Sequence, residues 1–308
     1  MRHAILVVLV CLGSSLASAA VINVEFKFTP FVGDPQKNEQ VTTVAGKARL
    51  YINNIFFAEQ EVRKGSVPVL FEAREIAPAV WLPVASAGPA VRKGRNTLRI
   101  DFEPADAQAS YRAQLRWAEV NDQVTEERSG GQFKSTNQSG EGVEEKAATG
   151  RLRIERQFDA PFASEHPWHR AAAVTSLSDA DRQELAKLVK ARADSFKPNF
   201  DGIYAALQGN PQIRVDDIRK MKCLDKAWAA GVRIDAPAAD QLEATLTGNA
   251  EVVLRRTNGD LFRPADAARF EKIKGEDARA CAGFALFAAF PPRLVVVRNP
   301  GGAWEVVY

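Results

Sequence analysis

The chain has 308 residues, with 41 Lys and Arg against 38 Asp and Glu and only three histidines and three cysteines. So even a charge balance gives no electrostatic case for nucleic acid or for an anionic membrane surface. The length allows two ordinary domains, and the shortage of histidine restricts any chemistry that needs an imidazole base or metal ligand.

Met1-Arg2-His3 is a short positive start, Ala4 to Leu12 is an apolar run, and Ala17-Ser18-Ala19 supplies the small residues of a signal-peptidase site. The pattern predicts a signal peptide over 1–19, cleaved after Ala19. A membrane span needs roughly 20 apolar residues, and Gly13, Ser14 and Ser15 break this run. Val10 before Cys11 argues against lipidation. The expectation is an exported protein, periplasmic or secreted, with no membrane span after signal removal. Without Arg2 the mature chain keeps 40 basic and 38 acidic side chains.

Two cysteines survive processing, Cys223 and Cys281, and would meet an oxidising compartment. A bridge between them would stabilise by ~4 kcal/mol on the chain-entropy model. The rival is a pair of buried free thiols. Cys223 falls in an expected helix from Val215 to Ala230, about 140° from Ile218 and off the stripe of Ile218, Met221, Leu224 and Trp228. That placement favours the bridge.

Ile22 to Phe28 alternates, with Ile22, Val24, Phe26 and Phe28 on one face, as a strand covered on one side does. Lys47 to Ile52, Asn53-Asn54 and Ile55 to Val62 read as a hairpin, because Asn tolerates positive φ. Further strands are expected at Val67 to Phe71 and Val80 to Val84. After the Lys93-Gly94-Arg95-Asn96 turn, Thr97 to Phe102 turns Leu98, Ile100 and Phe102 inward. Tyr111 to Trp117 places Trp117 on the core face. Strands this numerous, with no helix between them, predict an all-β antiparallel sandwich over 20–158.

Residues 120–149 are rich in Gly, Ser, Thr, Asn and Glu, with six acidic and three basic side chains, and are expected to form a long flexible loop. Gly150 to Phe158 reads as one more sandwich strand, which makes that loop an insertion within the first domain. Arg156 shares the parity of Leu152, Ile154 and Phe158 and implies a bulge or a buried ion pair. Residues 159–170 are then the connector.

The run Arg92-Lys93-Gly94-Arg95-Asn96-Thr97-Leu98-Arg99-Ile100, after the Arg49-Leu50-Tyr51-Ile52-Asn53-Asn54 hairpin, resembles the non-catalytic, galactose-binding-like sugar-binding β-sandwich modules that precede the barrels of many glycosidases. The resemblance implies a sandwich and a carbohydrate partner. No glycosidase barrel follows, so the family's catalytic carboxylates have no place here.

From 171 to 308 the pattern changes to an α+β domain. Ser178-Asp179-Ala180-Asp181 starts a helix with Leu185, Leu188 and Val189 on one face. A second runs from Asn199 to Leu207 and stops at Gly209-Asn210-Pro211, and the third is Val215 to Ala230. Glu251 to Arg256 and Leu261 to Arg263 are expected to pair across Asn258-Gly259, followed by a short helix from Pro264 to Ile273. Cys281 to Phe290 reads as a strand apolar on both faces, and Leu294 to Arg298 with Trp304 to Tyr308 as the closing hairpin. This order resembles the NTF2-like fold, which implies a pocket between a curved sheet and its helices.

His166-Pro167-Trp168-His169 is the sharpest local constellation, holding both histidines of the mature chain. His166, Trp168 and His169 are the candidate binding residues. A metal reading would add Glu165 or Asp159, but Pro167 prevents regular helical display and the spacing is unlike zinc sites, so no metal and no cofactor are expected. Lys134-Ser135 lacks the preceding Gly of a phosphate loop. No Gly-x-Ser-x-Gly elbow is present, and Asp216, Asp217, Asp235 and Asp240 are explained first by helix starts. Asn137-Gln138-Ser139 is a glycosylation sequon that matters only on a eukaryotic secretory route. The function expected is an exported, non-enzymatic binding or accessory protein of the bacterial envelope, with a protein or carbohydrate partner. The alternative is an enzyme or small-ligand binder using an NTF2-like pocket.

Overall fold

The computed structural model describes residues 20–37, 39–66, 76–128, 131–208 and 213–308, with the backbone but not the side chains over 122–128 and 131–137. The expected signal peptide, the strand at Val67 to Phe71, the Gly209-Asn210-Pro211 stop and the side chains of Lys134, Ser135 and Asn137 lie outside what is described. The fold is mostly antiparallel sheet, with helices mainly in the C-terminal part. Two compact units emerge: 20–49, 59–96 and 100–163 in the first, 50–58, 97–99 and 164–308 in the second. They are not the two consecutive segments expected from sequence, because the tip of one hairpin and three residues beside it belong with the second unit.

The first strands are β1 (Asn23–Val32), β2 (Thr42–Thr43), β3 (Gly46–Ile52), β4 (Ile55–Val62), β5 (Val80–Pro83), β6 (Gly94–Pro104), β7 (Ser110–Arg128), β8 (Gly131–Thr149) and β9 (Leu152–Ala160). One sheet runs β2-β1-β7-β8 with β5 also on β1, and another runs β4-β3-β6-β9. Aromatic contacts link them: Phe26 of β1 meets Phe158 of β9 at 5.3 Å, and Phe28 meets Phe102 of β6 at 5.7 Å. Asn53 (φ 52°) and Asn54 (φ 64°) make the expected tight turn. The Gly94-Arg95-Asn96 turn is closed by Asn96, which is buried and whose amide donates to the carbonyls of Arg92 and Gly94.

β1 departs from one-sided alternation. Glu25 and Thr29 on its polar face are buried too. The segment after residue 76 lies against that face: Thr29 donates to the Ala77 carbonyl at 3.1 Å, and Asn23 accepts from the Ala85 amide at 2.8 Å. Polar side chains can occupy a covered face where such bonds replace water.

Residues 120–149, expected as a flexible loop, instead complete β7 and form β8. The ladder runs from Ser110↔Thr149 to Arg128↔Gly131, with register shifts after Trp117 and Val120. A composition poor in apolar side chains does not exclude a strand, because in a two-stranded ribbon the backbone groups satisfy one another. Trp117 is half-buried rather than in the core. Gly142 lies opposite it, where a Cβ would come within 2.2 Å of the ring. Arg156 stacks over the same ring at 3.0 Å, with Glu144 at 4.0 Å. The parity conflict is thus relieved by a stacked guanidinium, and the irregularities lie in the β7–β8 ladder, with an extra residue first in β8 and then in β7.

The second unit contains α1 (Asp179–Asp194), α2 (Asp201–Gln208), α3 (Val215–Met221), α4 (Cys223–Ala229), β10 (Ile234–Asp235), β11 (Leu242–Leu246), β12 (Val252–Arg256), β13 (Arg263–Pro264), α5 (Glu276–Ala289), β14 (Leu294–Arg298) and β15 (Trp304–Val306). Its main sheet is ordered β11-β12-β14-β15. Leu185, Ile203, Leu224, Ala282 and Leu286 pack against Val252, Leu254, Leu294, Val296 and Trp304, so the helices fill one face of the sheet.

Three expectations are corrected here. Lys222 adopts a left-handed conformation (φ 53°) and splits the helix expected over Val215 to Ala230. The break moves Cys223 into the core and leaves Met221 exposed. Cys223 is nevertheless bridged to Cys281, tying α4 to α5. Secondly, Cys281 to Phe290 belongs to helix α5, in which Ala278, Ala282, Ala285, Leu286 and Ala289 are buried. Alanine is the best helix former, and its small side chains allow close packing; a run apolar all round did not by itself distinguish strand from helix. Thirdly, β12 pairs with β11 and β14, whereas β13 pairs with β10. The buried Arg256 holds the intervening turn by donating to Asp260 O at 3.1 Å and Asp235 Oδ2 at 3.0 Å.

Replacing Cys223 and Cys281 by alanine is expected to lower stability by ~4 kcal/mol through the freed unfolded chain, read as a fall in the urea midpoint. Tyr111 donates to the Gly150 carbonyl at 2.7 Å, and burial pushes its phenol up to about 12 from 10.0. Because the neutral form is favoured in the fold, stability should hold below pH 10 and fall as pH rises towards 12. Tyr111→Phe should flatten that alkaline decline while costing about 1–3 kcal/mol at neutral pH, measured by urea unfolding across pH.

Candidate functional site

Pro167 opens a single 3-10 turn, Pro167–Arg170, after His166 in an extended conformation (φ −111°, ψ 148°). The residue before proline is held out of the helical region, and proline itself suits a first helical position. The turn gathers three rings. His166 stacks on Trp168 at 4.4 Å and 12°, and His169 stands edge-on to both at 5.1 and 5.7 Å. The His166 amide donates to His169 Nδ1 at 3.4 Å. Trp168 Nε1 is buried with no acceptor among the described residues, so stacking rather than a hydrogen bond orients the indole.

After this turn, 171–177 runs without regular structure to the Ser178 cap, held by a bond from the Val174 amide to Asn249 O at 2.9 Å. Pro167, Trp168 and residues 171–176 form one wall of a cleft of about 690 Å³. Val297, Arg298, Asn299 and Pro300, with Ala250 and Glu305, complete it. The lining is mainly Ala, Val and Pro with a few polar groups, the usual make-up of a small-molecule site.

Period 2 in the β14–β15 hairpin sorts its side chains. Val297 pairs with Glu305, and Arg298 with Trp304. Trp304 and Val296 belong to the helix-side core, which leaves Val297 and Glu305 on the opposite, cleft face. The Arg298 guanidinium lies over the Trp304 ring at 4.7 Å and pairs with Asp181. Asp181 is also bonded by the Ser178 amide at 2.9 Å and hydroxyl at 2.7 Å, and by the Trp304 indole at 3.2 Å. The Ser178 bonds first, then those from Trp304 and Arg298, hold the Asp181 carboxyl below its ordinary 3.8. One N-terminal residue of α1 therefore anchors the strand pair that floors the cleft.

Of the residues nominated from sequence, Trp168 lines the cleft, while His166 and His169 pack against its ring. Among the described residues, no group of three His, Cys, Asp or Glu side chains is placed to hold a metal. Glu165, considered as a third ligand, is engaged by Arg170 at 2.8 and 2.9 Å. Asp235 binds Arg256 and Arg263, and Asp217 binds Arg214 at 3.0 Å. Glu305 and Val297 were not singled out in the sequence; strand parity within the closing hairpin was the available signal. No protein-family model, curated protein or solved structure matches the chain.

Asp181→Asn should destabilise the protein by about 1–3 kcal/mol, because the amide keeps one acceptor oxygen and no charge, so it cannot answer both the Ser178 donors and the Arg298 and Trp304 donors. A carboxyl with a depressed folded value contributes stability above its unfolded value and loses it as pH falls through the folded one. The wild type should therefore lose stability below pH 3.8 and the variant should lose less, in chemical unfolding followed by circular dichroism.

Proposed function

We propose that this is an exported, non-enzymatic binding protein of the bacterial envelope, and that the cleft beside Trp168 is its ligand site. On this reading the N-terminal sheets form a β-sandwich domain, the C-terminal part is an α+β domain, and the protein acts in the periplasm or outside the cell. The observation that carries the reading is the cleft itself, whose volume of about 690 Å³ falls in the range of small-molecule sites. It coincides with the one aromatic-histidine constellation picked out from the sequence.

The NTF2-like alternative would place a pocket between helices and sheet. That space is occupied by Leu185, Leu224, Ala282 and Val296, which favours the cleft.

The test is an NMR fragment screen that follows the Trp168 indole signal. Binding fragments should shift it, and Ala172→Trp, at an exposed position of the cleft wall, should abolish most hits while leaving the unfolding midpoint near that of the wild type. Hits that leave Trp168 unmoved and persist in Ala172→Trp would overturn the site. Turnover of ester, glycoside or peptide substrates by the pure protein would overturn the non-enzymatic reading.

A further inference from the structure

The charges that line the cleft are unequal in their partners. Among the described residues Arg298 is its only cation, and that guanidinium is directed to the helix side of the sheet, where it pairs with Asp181. Glu305 is its only carboxylate among the described residues, and strand parity places it on the cleft face beside Val297. Among the described residues no Lys, Arg or His nitrogen lies within 4.0 Å of Glu305. The cleft thus presents one uncompensated negative charge at its rim, an aromatic wall at Trp168 and an apolar lining from Ala171, Ala172, Val174 and Val297.

We propose that the cleft takes a small organic cation, an ammonium group on an apolar body, with the charge at Glu305 and the body against Trp168 and the Ala-Val wall. This rests on the cleft being the ligand site. A carboxylate that is exposed in the free protein becomes partly desolvated when the cleft fills, and only a cation offsets that cost. An anionic ligand would meet Glu305, and among the described lining residues the one cation, Arg298, is already paired with Asp181. The Trp168 wall gives the apolar body of the ligand an aromatic surface to pack against.

The experiment is isothermal titration with three probes of similar shape: 2-phenylethylamine, neutral 2-phenylethanol and anionic 3-phenylpropionate. Each is titrated into wild type, Glu305→Gln and Trp168→Ala, with urea midpoints confirming that the variants fold. The amine should bind at least ten-fold more tightly than the alcohol, and the acid should bind more weakly still. Glu305→Gln should remove the preference for the amine without weakening the alcohol, and Trp168→Ala should weaken both. If the alcohol or the acid binds wild type as tightly as the amine, and Trp168→Ala abolishes that binding, the cationic class is overturned while the cleft stands. If no probe binds wild type at millimolar concentration, or if binding ignores Trp168→Ala, the cationic proposal and the cleft reading fail together.

Discussion

The hairpin of β14 and β15 carries the organisation of the second unit. Its two-residue period sends Leu294, Val296 and Trp304 into the helical core and turns Val295, Val297 and Glu305 the other way. Both faces of β14 are buried, so a slip of one residue would turn every helix-facing side chain of the strand to the opposite face. Asp181 pins the arrangement. Its carboxylate caps α1 through Ser178 and accepts from Arg298 and Trp304, so helix start, strand edge and core indole share a single acceptor.

Around that hairpin the unit is closed by a few connections, each with a separate physical cause. The Cys223–Cys281 bridge joins two helices that neighbour one another in the core. Arg192 donates to the Ala289 carbonyl at 2.8 and 3.0 Å, satisfying the end of α5. On the other face of the sheet, Arg255 and Arg293 stack over Phe56 at 4.1 and 5.7 Å, and burial lowers the Arg293 value. Their hydrocarbon stems cover apolar surface while the charges lie on an aromatic face.

Turns and caps were the most legible elements. Asn53-Asn54 carries its positive φ in its side-chain chemistry, Ser178 with Asp181 is a cap by composition, and the Cys223–Cys281 bridge was expected from the two cysteines beyond residue 19. Of the site, the sequence pointed to Trp168 and its two histidines, because Pro167 between aromatic rings is a local signal. Glu305 could not be ranked above other acidic residues, since its role depends on the opposing wall at 171–176, more than a hundred positions earlier.

The sequence by itself determined where strands alternate, where chains turn and where the first helix starts, since these follow from side-chain period and from the φ preferences of Asn, Gly and Pro. Only the tertiary structure decided that Cys281 to Phe290 is a helix, that Lys222 breaks another, that β12 pairs with β11, and that 120–149 is a ribbon. Each of these turns on partners distant in sequence: a core able to accept alanines, a bridge that draws Cys223 inward, a neighbouring strand that completes a backbone ladder. Local pattern lists what a segment can become; packing and pairing select among those states.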